Sequence, residues 1–289
     1  MLNYIKDTKG EDEKMAKGLL TLISGSSGVG KNTVIAKLLE ENKDMQLLRS
    51  CTSRAIRVDD KIQDDGRYTY DFLTKEEFEE RIAKDDIVEY DIFGGNYYGV
   101  LKDSIYEAIN AGKIGIKDIT VKGVISCKTK FEKSINIVSV FLTLEKSKLK
   151  KRLILRETKD IANRMKHYKM EQKSIPLYDY CILNDDLDLT LNKMRAIMNH
   201  INGEEILIGE DLSKFSEDKL EKLVKRLKAN KKVGKVKVAE KDGKIYVVSG
   251  YMTYLASIKS HIPVTKYFVD DIAIEESDQE YWKQLKEDK

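Results

Sequence analysis

Apolar and polar positions along this 289-residue chain change period repeatedly, and each change marks an element. Leu19-Leu20-Thr21-Leu22-Ile23 is an apolar run of strand length, and Val34, Ile35, Leu38 and Leu39 then recur on one helical face. The alternation from Tyr68 to Phe72 predicts a short strand. Thr74-Lys75-Glu76-Glu77 is a capping box opening a helix that carries Phe78 and Ile82. Ile87-Val88-Glu89-Tyr90 predicts another strand, and Gly94-Gly95-Asn96-Tyr97-Tyr98-Gly99 a tight, aromatic-bearing turn. Asp103 is placed to cap a helix with Ile105, Ala108 and Ile109 inward, ended by Gly112. Strands follow at residues 114–119 and 135–142, then a long basic helical region, a strand at 180–183, and a closing helix with Met194, Ile197, Met198 and Ile201 on one face. Strands alternating with helices predict an α/β fold with a parallel sheet.

From Gly203 onward the pattern changes. Ile206-Leu207-Ile208 predicts a short strand, and Ser216 caps a helix bearing Leu220, Leu223, Val224 and Leu227. Val236-Lys237-Val238, the Asp242-Gly243 turn and Ile245-Tyr246-Val247-Val248 predict a hairpin. A short helix after Gly250 and a strand within residues 263–269 complete a small α+β unit. The expected division is a polar tail at residues 1–14, which either is disordered or precedes the natural start, a first domain at 15–202, and a second at 203–289 ending in an acidic tail. The second domain has its own apolar strands and helix, so it is expected to fold independently.

Composition adds constraints more than direction. The chain is 41% hydrophobic and 35% charged, with a formal charge of +3, too small to imply nucleic acid or anionic membrane by itself. Cys51, Cys127 and Cys181 are widely spaced, as are the three histidines, which suggests neither a disulfide framework nor a zinc site. No run has the length of a membrane span and no signal-peptide core is present, so a cytoplasmic protein without a membrane partner is expected.

The candidate chemistry centres on Gly25-Ser26-Ser27-Gly28-Val29-Gly30-Lys31-Asn32-Thr33, between a strand and a helix. Glycines there let backbone N–H groups turn toward an anion, and the helix N-terminus adds partial positive charge. Lys31 is placed to reach the outer phosphates. Asn32 stands where a magnesium-binding hydroxyl is usual, with Thr33 next. Asp118, near the end of its strand, suits magnesium held through water. Arg54 and Arg57, outside any amphipathic pattern, suit a second anion.

In order, LISGSSGVGK, SCTSRAIR, YTYDF, EEFEERI, VEYDIFGGNYYG and LNDDLD resemble guanylate kinase over roughly residues 15–202. The resemblance implies a nucleoside monophosphate kinase with a parallel-sheet core, a monophosphate-binding lobe and a mobile lid, using ATP and Mg²⁺. It implies that Lys31 and its loop hold ATP phosphates. Ser50, Arg54, Arg57, Tyr70 and Tyr98 then serve the acceptor's phosphate, and Glu89 the guanine edge. Arg152, Arg156 and Arg164 resemble the lid arginines, and Asn184 lies where the family meets adenine. Val100 and Thr120 depart from the family's polar contact to the base and its second strand-end acid, and Lys117 is unusual within a core strand. Nucleotides are therefore the expected substrates, with GMP, dGMP or a related purine monophosphate as acceptor. A modified acceptor and a non-enzymatic binding module are the rival readings. The order of elements in residues 204–270 resembles the ParB N-terminal or sulfiredoxin-type domain, although its box, Gly250-Tyr251-Met252-Thr253-Tyr254-Leu255-Ala256, lacks a cation. A protein partner, or nucleic acid on the lysine-rich run at 219–244, is the class of contact this region implies. No pattern in the sequence specifies an oligomeric state.

Overall fold

The computed structural model describes residues 18–57, 70–131, 134–157, 160–208 and 216–270; the expected tails at 1–14 and beyond 270 lie outside them. In chain order the strands and helices begin β1 (Leu19–Gly25), α1 (Lys31–Glu41), β2 (Met45–Leu47), β3 (Ser50–Thr52), β4 (Tyr70–Phe72) and α2 (Lys75–Ala83). They continue with β5 (Ile87–Phe93), β6 (Asn96–Leu101), α3 (Lys102–Asn110), β7 (Ile114–Asp118), α4 (Val121–Phe131) and β8 (Asn136–Thr143). Then come α5 (Lys146–Leu155), α6 (Ile161–Lys173), β9 (Tyr180–Leu183) and α7 (Leu187–Ile201). The chain closes with β10 (Leu207–Ile208), α8 (Glu217–Lys228), β11 (Val236–Lys241), β12 (Lys244–Ser249), α9 (Tyr251–Ser260) and β13 (Lys266–Phe268).

Two compact units form. One holds the described residues within 18–24 and 35–139. In it β7 pairs in parallel with β1 on one side and β2 on the other. Leu20, Leu22, Ile23 and Ile116 are fully buried, as is Thr21 between them, so consecutive positions of β1 are all enclosed, the pattern of a parallel strand buried on both faces. The same unit carries a second sheet, β4-β3-β6-β5, mixed in direction. Phe78 of α2 fills its core beside Cys51, Ile87 and Leu101. The Thr74 capping box is present as expected, with Thr74 and Glu77 satisfying each other's backbone N–H.

Two sequence expectations change here. The expected turn at 94–99 is confined to Gly94 and Gly95, whose φ of +56° and +75° suit a two-residue hairpin, while Asn96–Leu101 pairs antiparallel with β5. Asp103 does not cap α3: Leu101 is the N-cap, and the Asp103 carboxylate instead takes Arg81 at 3.1 Å.

The other unit holds Gly25–Val34 and all described residues from Val140 onward. Its sheet runs β10-β12-β11-β13-β9-β8. The hairpin β11–β12 turns on Asp242 and Gly243, both at positive φ, as the Asp-Gly pair predicts. The expected boundary at residue 202 is not a break in packing. β13 pairs in parallel with β9, and Asn199 of α7 donates to the Gly243 carbonyl at 3.1 Å. Residues 203–208 and 216–270 thus extend the sheet that β8 and β9 begin.

Cys51, Cys127 and Cys181 are all buried, and burial pushes each thiol up to about 12. At pH 8 about one thiol in 10⁴ is then ionised, and only the thiolate reacts. The native protein should therefore titrate slowly with a thiol reagent, with three groups appearing at once in guanidinium chloride. A rapid native burst of one equivalent would show that one of these sites opens.

Candidate active site

β1 delivers the glycine loop and α1 receives it. Gly25 lies at φ +144°, and a Cβ there would meet the Leu142 carbonyl oxygen at 2.2 Å. Gly30 lies at φ +106°, where a Cβ would fall 2.7 Å from Asn184 Nδ2. Only glycine fits either position. The loop is braced from parts of the chain far along the sequence. Val29 is buried, and its carbonyl accepts Asn184 Nδ2 at 2.8 Å and the Arg152 guanidinium at 3.1 Å. Arg152 also donates to the Asp185 carbonyl at 3.3 Å, and Arg164 donates to the Ser27 hydroxyl. Asn184, 4% exposed, spends its amide N–H on the Val29 carbonyl, so it braces the glycine loop.

Lys31 folds back over this loop, with Nζ 2.6 Å from the Gly25 carbonyl and 3.5 Å from that of Ser26. Ser26 Oγ is buried and has no hydrogen-bond partner among the described residues. A hydroxyl in that state is disfavoured by about 1–3 kcal/mol, and a phosphate oxygen would supply its partner. The loop therefore fits a nucleotide phosphate. Asn32 and Thr33 are exposed in the first turn of α1. Arg156 is exposed at the end of α5, and the structure does not bring it to the loop as it does Arg152 and Arg164.

The residues expected at the acceptor gather in the other unit. Register places Ser50 beside Tyr70 and Thr52 beside Tyr98. Arg54, only 9% exposed, lays its guanidinium over Tyr70 at 5.2 Å and Phe72 at 5.3 Å, while Tyr70 meets Tyr98 edge-on at 6.4 Å. Arg57 is exposed just beyond.

Glu89 is half-buried on β5, and burial raises its carboxyl above the ordinary range. The Thr120 hydroxyl donates to it, as does the Thr120 N–H at 3.5 Å, and both oppose that rise. Thr120 Oγ1 in turn accepts the Gly123 N–H at 3.2 Å, in the first turn of α4. A Cβ on Gly123 would lie 2.3 Å from the Glu89 carboxyl carbon, so this glycine makes room for the acid. Gly123 carried no sequence signal for that role. Thr120, which replaces an acid of the family pattern, is thus a donor to Glu89. Val100 is a core residue, 4% exposed. Asp118 is half-buried at the end of β7.

A braced glycine loop opening a helix, a lysine folded onto it, two arginines from later helices and a separate arginine–tyrosine cluster define a phosphate-loop phosphotransferase. The family model described as guanylate kinase matches residues 17–201. Guanylate kinase from Clostridium perfringens (strain SM101 / Type A) is 35% identical over 211 residues, 72% of this chain and 94% of that protein. Guanylate kinase from Oceanobacillus iheyensis is 33% identical over 207 residues, 71% of this chain and 98% of that one. A crystal structure of guanylate kinase from Anaplasma phagocytophilum matches 65% of this chain and 87% of its own, with a TM-score of 0.48 and 23% identity. The chain belongs to the guanylate kinase family.

Proposed function

We propose that this chain is a nucleoside monophosphate kinase that transfers the γ-phosphoryl group of ATP to GMP, giving ADP and GDP. The observation that carries the acceptor's identity is Glu89, a half-buried carboxylate fixed by Thr120 in a chain of this family. Guanine presents N1–H and N2–H₂ as adjacent donors, which one carboxylate accepts together. A carboxylate offers about four lone-pair sites, so the Thr120 bonds leave it capacity for both.

The acceptor's phosphate oxygen is already anionic, so transfer needs positioning and charge neutralisation more than a base. Arg54, Arg57, Ser50, Tyr70 and Tyr98 hold the acceptor phosphate. Lys31 and the loop hold the donor phosphates, and Arg152, Arg164 and Arg156 neutralise the charge in flight. Thr33 in the one unit and Asp118 in the other are each the kind of hard oxygen ligand that Mg²⁺ takes, and the ion, when bound, would offset charge on the phosphate oxygens.

A modified or non-guanine acceptor, the reading that Val100 and Thr120 invited, is disfavoured. Val100 is a core residue, Thr120 supports Glu89, and the relatives are guanylate kinases. For residues 203–289 we propose a ParB/sulfiredoxin-like appendage that meets a protein or nucleic-acid partner and does not bind phosphate. The order α8, hairpin, α9, β13 supports it, as does a box with no cation. No described helix is long and apolar enough to cross a membrane, and the cytoplasm, where ATP and GMP are found, is the proposed location.

Purified protein supplied with ATP, Mg²⁺ and a panel of monophosphates should form GDP from GMP in preference to products of other bases. Glu89→Gln should lower kcat/KM for GMP by ~10- to 100-fold, the scale of one charge-assisted hydrogen bond, and leave AMP turnover almost unchanged. Because burial raises the Glu89 carboxyl, GMP affinity should weaken at a less acidic pH than an exposed glutamate would dictate. An unchanged ranking of bases in Glu89→Gln would remove guanine recognition from this residue.

A further inference from the structure

Lys117 is a charged residue in a strand built to be buried. It is 7% exposed in β7, follows the fully buried Ile116, and pairs in register with Leu22 of β1. Its ammonium donates to Ser50 Oγ at 2.5 Å and to the Leu48 carbonyl at 3.1 Å, and forms no ion pair among the described residues. A buried cation with only neutral hydrogen-bond partners is disfavoured.

Two hydrogen bonds use two of the three ammonium donors. Ser50 Oγ, accepting from Lys117, keeps its own proton free to donate elsewhere. Ser50 lies beside Tyr70 across β3 and β4, and Arg54 lies over that same ring.

We propose that Lys117 is a positioning residue of the acceptor site: it holds the Ser50 hydroxyl as a donor to the acceptor's phosphate and sets a fixed positive charge behind it. This rests on the reading of Ser50, Arg54 and Tyr70 as the acceptor-phosphate cluster. An incoming dianion would add a counter-charge to an ammonium whose hydrogen-bond partners among the described residues are neutral, so its burial is less unfavourable when GMP binds.

The test is Lys117→Met, which keeps length and suits an apolar strand, with Ser50→Ala and the double variant alongside. KM for GMP should rise by ~10-fold or more, the scale of a hydrogen bond to a charged group, while KM for ATP stays within about twofold. The double variant should be no worse than the poorer single one, because the two groups act through one contact. Thermal stability of Lys117→Met should hold or rise, since a buried unpaired charge has been removed. A purely structural lysine would give the reverse: a lower melting temperature, a smaller active fraction and an unmoved KM for GMP. If Lys117→Met fails to fold, Lys117→Gln, which keeps a neutral donor and loses the charge, should raise KM for GMP in the same direction by a smaller factor. An unchanged KM in a folded variant, or additive losses in the cycle, overturns the proposal while wild-type turnover of GMP stands. A wild-type protein that does not phosphorylate GMP overturns the proposed function and this inference with it.

Discussion

Lys31→Ala is expected to lower kcat by ~10²–10³, the usual scale for losing one preorganised donor to a developing charge. The ammonium already rests on the Gly25 and Ser26 carbonyls, so it is held at the loop before any phosphate arrives. A donor fixed in advance needs no reorganisation during transfer, and its contact strengthens as charge moves off the γ-phosphoryl group. The loss should therefore fall on kcat more than on KM for ATP. Stability should change little, because the loop keeps the Val29 contacts from Asn184 and Arg152. A coupled assay of ATP turnover with GMP measures both parameters, and unchanged turnover would remove the loop from the chemistry.

Ending the chain at Asn202 is expected to give a protein that unfolds or aggregates, contrary to the sequence expectation of an independently folding second half. Tyr180 and Cys181, nearly inaccessible in β9, would lose the strand that pairs with them. Tyr180 would also lose Phe268 at a ring distance of 5.8 Å and the Lys266 ammonium over its face at 4.7 Å. The Thr265 hydroxyl bond to the Tyr178 carbonyl, 2.7 Å, would go as well. Lys193 of α7 is 4% exposed and ion-paired with Asp270. Losing that ion pair together with the strand pairing removes several contacts at once from a fold whose typical total stability is about 5–15 kcal/mol. Expression, solubility and a thermal melt of the truncated chain measure this. A soluble product with an unaltered melting temperature would show that the core closes without the last strands.

What the sequence made legible was local. The glycine loop, the Thr74 capping box, the Asp242-Gly243 hairpin and the helices with clean apolar spacing all carry their instructions within a few residues. β2 and β3 are three residues long, too short to show a period. α4 was hidden by the β-branched residues and the glycine at its start, and Gly123 is there for Glu89, thirty-four positions earlier in the sequence. Arg54 and Arg57 stood out as anion candidates and the other expected acceptor residues came from resemblance, but the Arg54–Tyr70–Tyr98 grouping comes from strand pairing. The continuation of the sheet past residue 202 was hidden for the same reason. An edge strand that accepts a neighbour and one that faces solvent read alike, and only the partner's register distinguishes them.

The bracing of Val29 has a consequence for how the protein comes into being. The contact from Asn184 spans 155 residues, that from Arg152 spans 123, and the Arg164 bond to Ser27 spans 137. A ribosome adding about 5–20 residues per second needs roughly 8–30 s to place Asn184 after Val29 has been made. Through that interval the nascent chain carries the whole phosphate-loop motif without the side chains that hold it in shape. ATP should therefore be a ligand of the finished protein and a poor one of the growing chain. Nucleotide-assisted folding would then act after translation, on the joining of early and late segments.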